Sequence, residues 1–160
     1  MMFTALVQVA LAFGGVPFGA PEQEVRQKAG ASVVEETLAD GSKALVVVEQ
    51  IAGRSAKRKW VIREGHFAEG VLLFVFKSDK AACEDLQKTA LSSIESNYGT
   101  EPRLDERKVS SSPAGMHSEL WVIPLAKGAR IEQRMVYVQL TSECIISGRY
   151  FAPAEGASAF

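Results

Sequence analysis

The sequence predicts an α+β fold in which two helices pack on one face of an antiparallel sheet. Residues 21–30 and 78–99 carry the end signals of helices, and each segment is followed by a run of β-rich segments. Runs of strands after a helix favour an antiparallel sheet over a parallel one. The order helix, four strands, helix, three or four strands further suggests two tandem α-β-β-β(-β) half-repeats.

Length and composition describe one ordinary globular domain. The chain has 160 residues, of which 47% are hydrophobic and 23% charged, so it can bury a core without a metal or a disulfide. We expect the domain at residues 13–152, with halves at about 13–77 and 78–152, and a frayed tail at 153–160. The net charge of −1 argues against a nucleic-acid partner.

The apolar stretch near the start of the chain has two interpretations. It is too short for a transmembrane helix, so we expect no integral membrane segment. Residues 10–12, Ala-Leu-Ala, have the small-x-small form of a signal-peptidase site, which makes residues 1–12 a truncated signal peptide and the protein periplasmic or secreted. The alternative is a first strand in a cytoplasmic protein.

Both predicted helices have recognisable ends. Pro21 suits the first helical position of the first helix, and Gly30 suits the left-handed position after its end. Ser78 is the predicted N-cap of the second helix, and Gly99 follows its last residue. Cys83 falls on the apolar side of this helix, which therefore faces the core.

Turn signals divide the remainder into strands. The Asp40-Gly41 pair predicts a hairpin, residues 53–59 a basic loop, and Glu64-Gly65 a turn before a long strand with a bulge at Gly70. Residues 100–118 are predicted to be a mobile surface loop with at most a short strand at 107–109. The predicted strands are 32–38, 43–50, 60–63, 66–76, 119–123, 130–140 and 144–151.

Two cysteines, Cys83 and Cys144, allow one bridge. In an exported protein it would close a loop of about 60 residues. In a cytoplasmic protein the two residues would instead be buried thiols that act as small hydrophobic side chains.

Two parts of the chain resemble small secreted bacterial domains. Residues 15–25, Gly-Val-Pro-Phe-Gly-Ala-Pro-Glu-Gln-Glu-Val, are similar to the segment that follows a signal peptide in such proteins. The helix from Cys83 to Gly99, followed by Trp121 and Cys144, is similar to their second half. The arrangement resembles the helix-plus-sheet repeat of the β-lactamase-inhibitor-protein and outer-membrane-assembly-lipoprotein class. That resemblance implies binding or scaffolding and carries over no catalytic residue.

The histidines are the first candidates for chemistry. His66 stands near Glu64 and Glu69, a grouping that binds a metal only if all three side chains point the same way; the alternative is a solvated strand end. His117 is expected to be exposed. The chain contains no phosphate-binding loop, nucleophile elbow or paired zinc spacing, so no catalytic residue, metal or cofactor is predicted.

Four aromatic residues have two alternative placements. Trp60, Trp121, Tyr137 and Tyr150 belong either to the core or, if they lie on the uncovered face of the sheet, to a recognition surface.

The function expected from these features is binding. The sequence favours a small non-enzymatic exported binding or scaffolding module that acts on an unknown protein or envelope component through a sheet face or the 100–118 loop. A small hydrolase or ligand carrier with a site assembled around His66, Glu69 and Cys144 is one alternative. A structural subunit of a larger assembly is the other.

Overall fold

The computed structural model describes residues 12–113 and 115–153, which form two helices and an antiparallel sheet. The helices are α1 (Glu22–Ala29) and α2 (Lys80–Tyr98), and neither is long and apolar enough to cross a membrane. The strands are β1 (Ala12–Phe13), β2 (Val16–Pro17), β3 (Val34–Thr37), β4 (Lys43–Ile51), β5 (Arg54–Arg63), β6 (His66–Lys77), β7 (Arg103–Leu104), β8 (Ser110–Ser111), β9 (Met116–Pro124), β10 (Arg130–Val138) and β11 (Glu143–Phe151).

The strand order is symmetric about the middle of the sheet. It runs β3-β4-β5-β6-β11-β10-β9-β7, with β8 also paired to β9, and β1 and β2 form a separate hairpin. Every described pair in the sheet is antiparallel. Each half of the chain therefore contributes a helix and a meander, and the last strands of the two halves, β6 and β11, pair at the centre. The predicted α+β class is confirmed.

Both helices lie on the same face of the sheet, which we call the covered face. Val25 of α1 is fully buried in a cluster with Leu45 of β4. Ile94 of α2 packs against Ile131 of β10. Because side chains alternate along a strand and directly paired residues share a face, the register assigns the remaining side chains to this face or to the opposite one, the open face.

The helix ends agree with the sequence, with two corrections. Pro21 is the N-cap residue of α1 and not its first helical residue. Gly30 and Gly99 follow the two helices with φ of +89° and +68°, a conformation that glycine adopts at no steric cost. The N-cap of α2 is Asp79 and not Ser78, because an Asp79 carboxylate oxygen accepts a hydrogen bond from the backbone N–H of Ala82 at 2.7 Å.

The predicted basic loop at 53–59 is wrong. Ala52 and Gly53 have φ of +52° and +76° and make a two-residue hairpin turn, so β5 begins immediately afterwards, at Arg54. The basic residues of this segment lie in a strand: Lys57 is on the open face and Arg58 on the covered face.

The predicted bulge at Gly70 is also displaced. The register shift between β5 and β6 lies at Val61 and Ile62. The absence of a side chain at Gly70 serves another purpose, since a Cβ there would lie 2.6 Å from the ring of Phe13. Glycine at this position lets the aromatic ring of β1 pack directly on the central strand.

Two further predictions concern the 100–118 segment and the termini. The segment contains β7, β8 and a 3₁₀ turn at Glu106–Lys108, and both strands pair with β9, so it is more regular than the predicted loop. The predicted strand at 107–109 is replaced by the turn. The interpretation of residues 1–12 concerns, apart from Ala12, residues outside the described part of the chain, as does most of the predicted tail.

Candidate functional site

The four aromatic residues singled out in the sequence do not lie on the open face. Trp60 is 2% exposed in the core, and its indole N–H donates a hydrogen bond to the Phe13 carbonyl at 3.1 Å. Tyr137 is 5% exposed, and its hydroxyl donates to the Ser78 carbonyl at 3.0 Å. Both side chains are therefore structural.

The other two aromatics are half-buried, also on the covered face. The Trp121 indole N–H donates to a carboxylate oxygen of Glu119 at 3.0 Å. Tyr150 pairs with Gly70 across the central strands, with its ring 4.7 Å from that of Phe13. All four side chains therefore lie on the covered face, and the alternative in which they form a recognition surface on the uncovered face is wrong.

The cysteines form the bridge that was one of the two alternatives. Cys83 of α2 and Cys144 of β11 are disulfide-bonded, with Cα atoms 5.6 Å apart and both residues fully buried. Cys144 is consequently unavailable as a nucleophile. The bridge fastens α2 to the strand at the centre of the sheet.

The grouping around His66 does not assemble into a site. His66 is exposed at the β5–β6 turn, and its Nδ1 lies 2.9 Å from the Glu64 carbonyl. Glu69 is 4% exposed and is held by Arg149 and Arg63 on the open face. Within the described ranges, no three His, Cys, Asp or Glu side chains are grouped to hold a metal ion.

A second histidine has catalytic-type neighbours that the sequence analysis did not identify. The Ser111 hydroxyl lies 2.8 Å from Nδ1 of His117, its partner across β8 and β9. Nε2 of His117 lies 3.5 Å from a carboxylate oxygen of Glu119, two residues further along β9. Such an order of hydroxyl, imidazole and carboxylate can activate a serine by removing its proton. The only sequence signal was a His-x-Glu spacing, which places both side chains on one face of a strand.

The open face carries an apolar strip across the three strands at the centre of the sheet. Val75, Ile145 and Val136 are successive cross-strand partners on β6, β11 and β10. Val75 is 51% exposed, and Val48 on β4 is 63% exposed. Exposed β-branched side chains grouped on one sheet face are typical of a binding surface.

Next to the apolar strip, a second row of cross-strand partners on the open face has a basic residue at each end. Lys57, Leu73, Ser147 and Arg134 are successive cross-strand partners. The neighbouring cations have carboxylate partners: Lys59 lies 3.0 Å from Glu36, and Arg149 donates to Glu69 at 2.7 Å. No ion pair or hydrogen bond joins the Lys57 or Arg134 side chain to another described residue. These two charges are available to a partner.

Basic side chains outnumber acidic ones on this face, although the whole chain has a net charge of −1. On strands β3–β6 and β9–β11 of this face, the register places the basic residues Lys57, Lys59, Arg63, Lys77, Arg130, Arg134 and Arg149, and the acidic residues Glu36, Glu69, Glu132 and Glu143.

Comparisons with protein-family models, curated proteins and solved structures found no significant match.

Proposed function

We propose that this protein is a non-enzymatic exported binding module that captures a protein partner through the open face of its sheet. The observation that carries the proposal is the apolar strip of exposed Val75 and half-buried Ile145 and Val136. It lies beside two cations, Lys57 and Arg134, that have no carboxylate partner among the described residues. Desolvated apolar centres with charged surroundings are characteristic of protein interfaces.

The charge of the open face indicates the chemistry of the partner. An acidic protein surface with an apolar centre would neutralise Lys57 and Arg134 and cover the valine side chains. Complementary charge of this kind accelerates association and selects among partners, and its effect weakens as salt rises.

Export is supported by the buried bridge between Cys83 and Cys144. Structural disulfides persist in oxidising compartments and are rare in the cytosol. Determination of the mature N-terminus and of the thiol state in the native host tests this part of the proposal. Two free thiols in the purified native protein would contradict it.

The binding face is tested by site-specific photo-crosslinking in the native host. A photoreactive phenylalanine replaces Val75 on the open face or, as a matched control, Asp85 on the exposed side of α2. We expect a discrete covalent adduct from position 75 and none from position 85, and mass spectrometry should identify a protein with an acidic surface patch.

Charge reversal then connects the adduct to the cations. The Lys57→Glu/Arg134→Glu variant should weaken binding of the identified partner at least tenfold, whereas Lys88→Glu on α2 should leave it unchanged. Equal adducts from both probe positions, no adduct from position 75, or affinity indifferent to the two cations would each reject the open face as the binding site.

A second candidate function is ester hydrolysis at Ser111, favoured by its hydrogen bond to His117. It ranks second because the nearby backbone N–H groups of Gly115 and Met116 are bound by Ser112 and are not free to stabilise an oxyanion. Hydrolysis of p-nitrophenyl acetate by the wild type, abolished in Ser111→Ala and retained in Ser112→Ala, would support this function. Equal rates in the wild type and Ser111→Ala would exclude it.

A further inference from the structure

The covered face contains a cleft that the helices do not fill. It lies between α2 and the central strands, has a volume of about 460 Å³, and is lined on the sheet side by Leu72 and Phe74 and on the helix side by Leu86 and Ile94. This volume is within the usual range for small-molecule sites, and a largely apolar lining is typical of them.

A small residue of α2 leaves part of the cleft unfilled, at a position where a packed interface would have a large one. Ala90 lies one helical turn from both Leu86 and Ile94, yet it reaches less far towards the sheet. Across the gap, β11 contributes Gly148, whose missing side chain makes room for Gln133, since a Cβ there would lie 2.7 Å from the Gln133 Oε1. Protein interiors are normally filled to near-crystalline density, so an open space of this size between a helix and a sheet requires an explanation.

A rigidly held cation lies in the wall of the cleft. Nε and Nη2 of Arg58 donate hydrogen bonds to one carboxylate oxygen of Glu49, and its Cζ lies 5.0 Å from the centre of the Phe13 ring. The remaining terminal nitrogen, Nη1, bonds to no described residue and lies beside Gly14, where a Cβ would be 3.4 Å from it. Donors are therefore left over after the ion pair forms.

Two phenols line the same cleft. No described residue forms a hydrogen bond with the hydroxyl of Tyr98 or Tyr150, and both residues are half-buried. Burial raises the pKa of both residues, and the nearby Tyr98 raises that of Tyr150 further, so both hydroxyls remain protonated donors. Arg58 interacts electrostatically with both hydroxyls.

We propose that the cleft binds a small molecule with an apolar body and an anionic head group of the carboxylate type. The body would lie among Leu72, Phe74, Leu86 and Ile94, and the head would accept hydrogen bonds from Arg58, Tyr98 and Tyr150. Donors that are held in place before binding suit an anion, because little further ordering is required. The site is on the opposite side of the sheet from the open face, so it is a second binding function and does not depend on the first.

The experiment uses the full oxidised chain and a head-group series. Decanoate, decanol and decyltrimethylammonium share an apolar chain and differ in the head. The two ionic compounds are kept below their critical micelle concentrations, and decanol is kept below its solubility limit. Isothermal titration should give binding of decanoate at least tenfold tighter than that of decanol, and no binding of the cation. Equal affinity for decanoate and decanol, or no binding of decanoate, would overturn the proposal.

Variants locate the site without removing the Arg58–Glu49 ion pair. Ala90→Leu should fill the cleft and abolish decanoate binding, whereas Ala81→Leu, on the exposed first turn of α2, should leave it unchanged. Tyr98→Phe/Tyr150→Phe removes only the two hydroxyls and should weaken decanoate about tenfold while leaving decanol unchanged. Near-ultraviolet circular dichroism establishes that each variant is folded. Undiminished decanoate binding by folded Ala90→Leu, or by the folded tyrosine variant, would refute the assignment.

Discussion

Removal of the Cys83–Cys144 bridge is expected to lower the free energy of unfolding by about 4 kcal/mol. The bridge joins residues 61 positions apart, and a closed loop of that length restricts the unfolded chain by this amount in the chain-entropy model. Both cysteines are fully buried, so the disulfide joins the centre of the sheet to α2 within the core and not at the surface.

Reduction of the wild-type protein is the cleanest form of this perturbation, because both sulfur atoms stay in the core. Urea unfolding followed by the fluorescence of buried Trp60 should show a midpoint lower by about 2 M after reduction, taking a typical slope of about 2 kcal/mol per M. Cys83→Ala/Cys144→Ala should be destabilised at least as much and should not respond to reductant. A loss below about 1 kcal/mol on reduction would refute the loop-closure reasoning.

Three other perturbations test individual features. Burial raises the pKa of Tyr150, so the contribution of its neutral hydroxyl to stability is complete below the usual tyrosine pKa of about 10 and is lost as pH rises towards the folded-state pKa. In urea titrations, Tyr150→Phe should therefore lose less stability than the wild type between pH 9 and about 11.5. Equal losses in the two proteins would contradict this. Gly70→Ala should lower the free energy of unfolding by about 1–3 kcal/mol, because its methyl group clashes with the Phe13 ring. In a double-mutant cycle, Phe13→Leu should recover part of this loss, whereas strictly additive effects of the two substitutions would exclude the clash. The hydrogen bond from Arg26 lowers the pKa of Glu22 in the folded state, so the stability contributed by the ionised Glu22 is present above about pH 4.5 and disappears as pH falls through the folded-state pKa. Glu22→Gln should therefore lose less stability than the wild type between pH 6 and pH 3. An identical loss in both proteins would be inconsistent with this ion pair.

Local chemistry made the fold class predictable. The glycines beyond each helix, Gly41 and the Glu64-Gly65 pair occupy positions with positive φ, where the backbone favours glycine in any context. The segment 53–59 was misassigned because its charges resemble those of a solvated loop. The turn at Ala52-Gly53 is only two residues long, so the charges lie in a strand that alternates between the two faces.

The candidate sites were less predictable because they depend on which face the helices cover. Leu45 and Val46 of β4 are both buried, so apolar alternation does not identify the covered face from the sequence. Trp60 and Tyr137 could therefore be placed on either side until the packing was known. Arg58, Tyr98 and Tyr150 are widely separated in the sequence and line one cleft only after α2 docks on β10 and β11.

The central pairing of β6 with β11 has a consequence for the two halves taken separately. A chain containing only the first half would leave the long edge of β6 without a neighbour, and an unpaired edge of that length is a template for association. Because an antiparallel pair of identical strands is self-complementary, two such chains would satisfy each other's edge through a two-fold axis. In connectivity, the intact protein is equivalent to such a two-fold dimer whose subunits have been fused through the short link between β6 and α2.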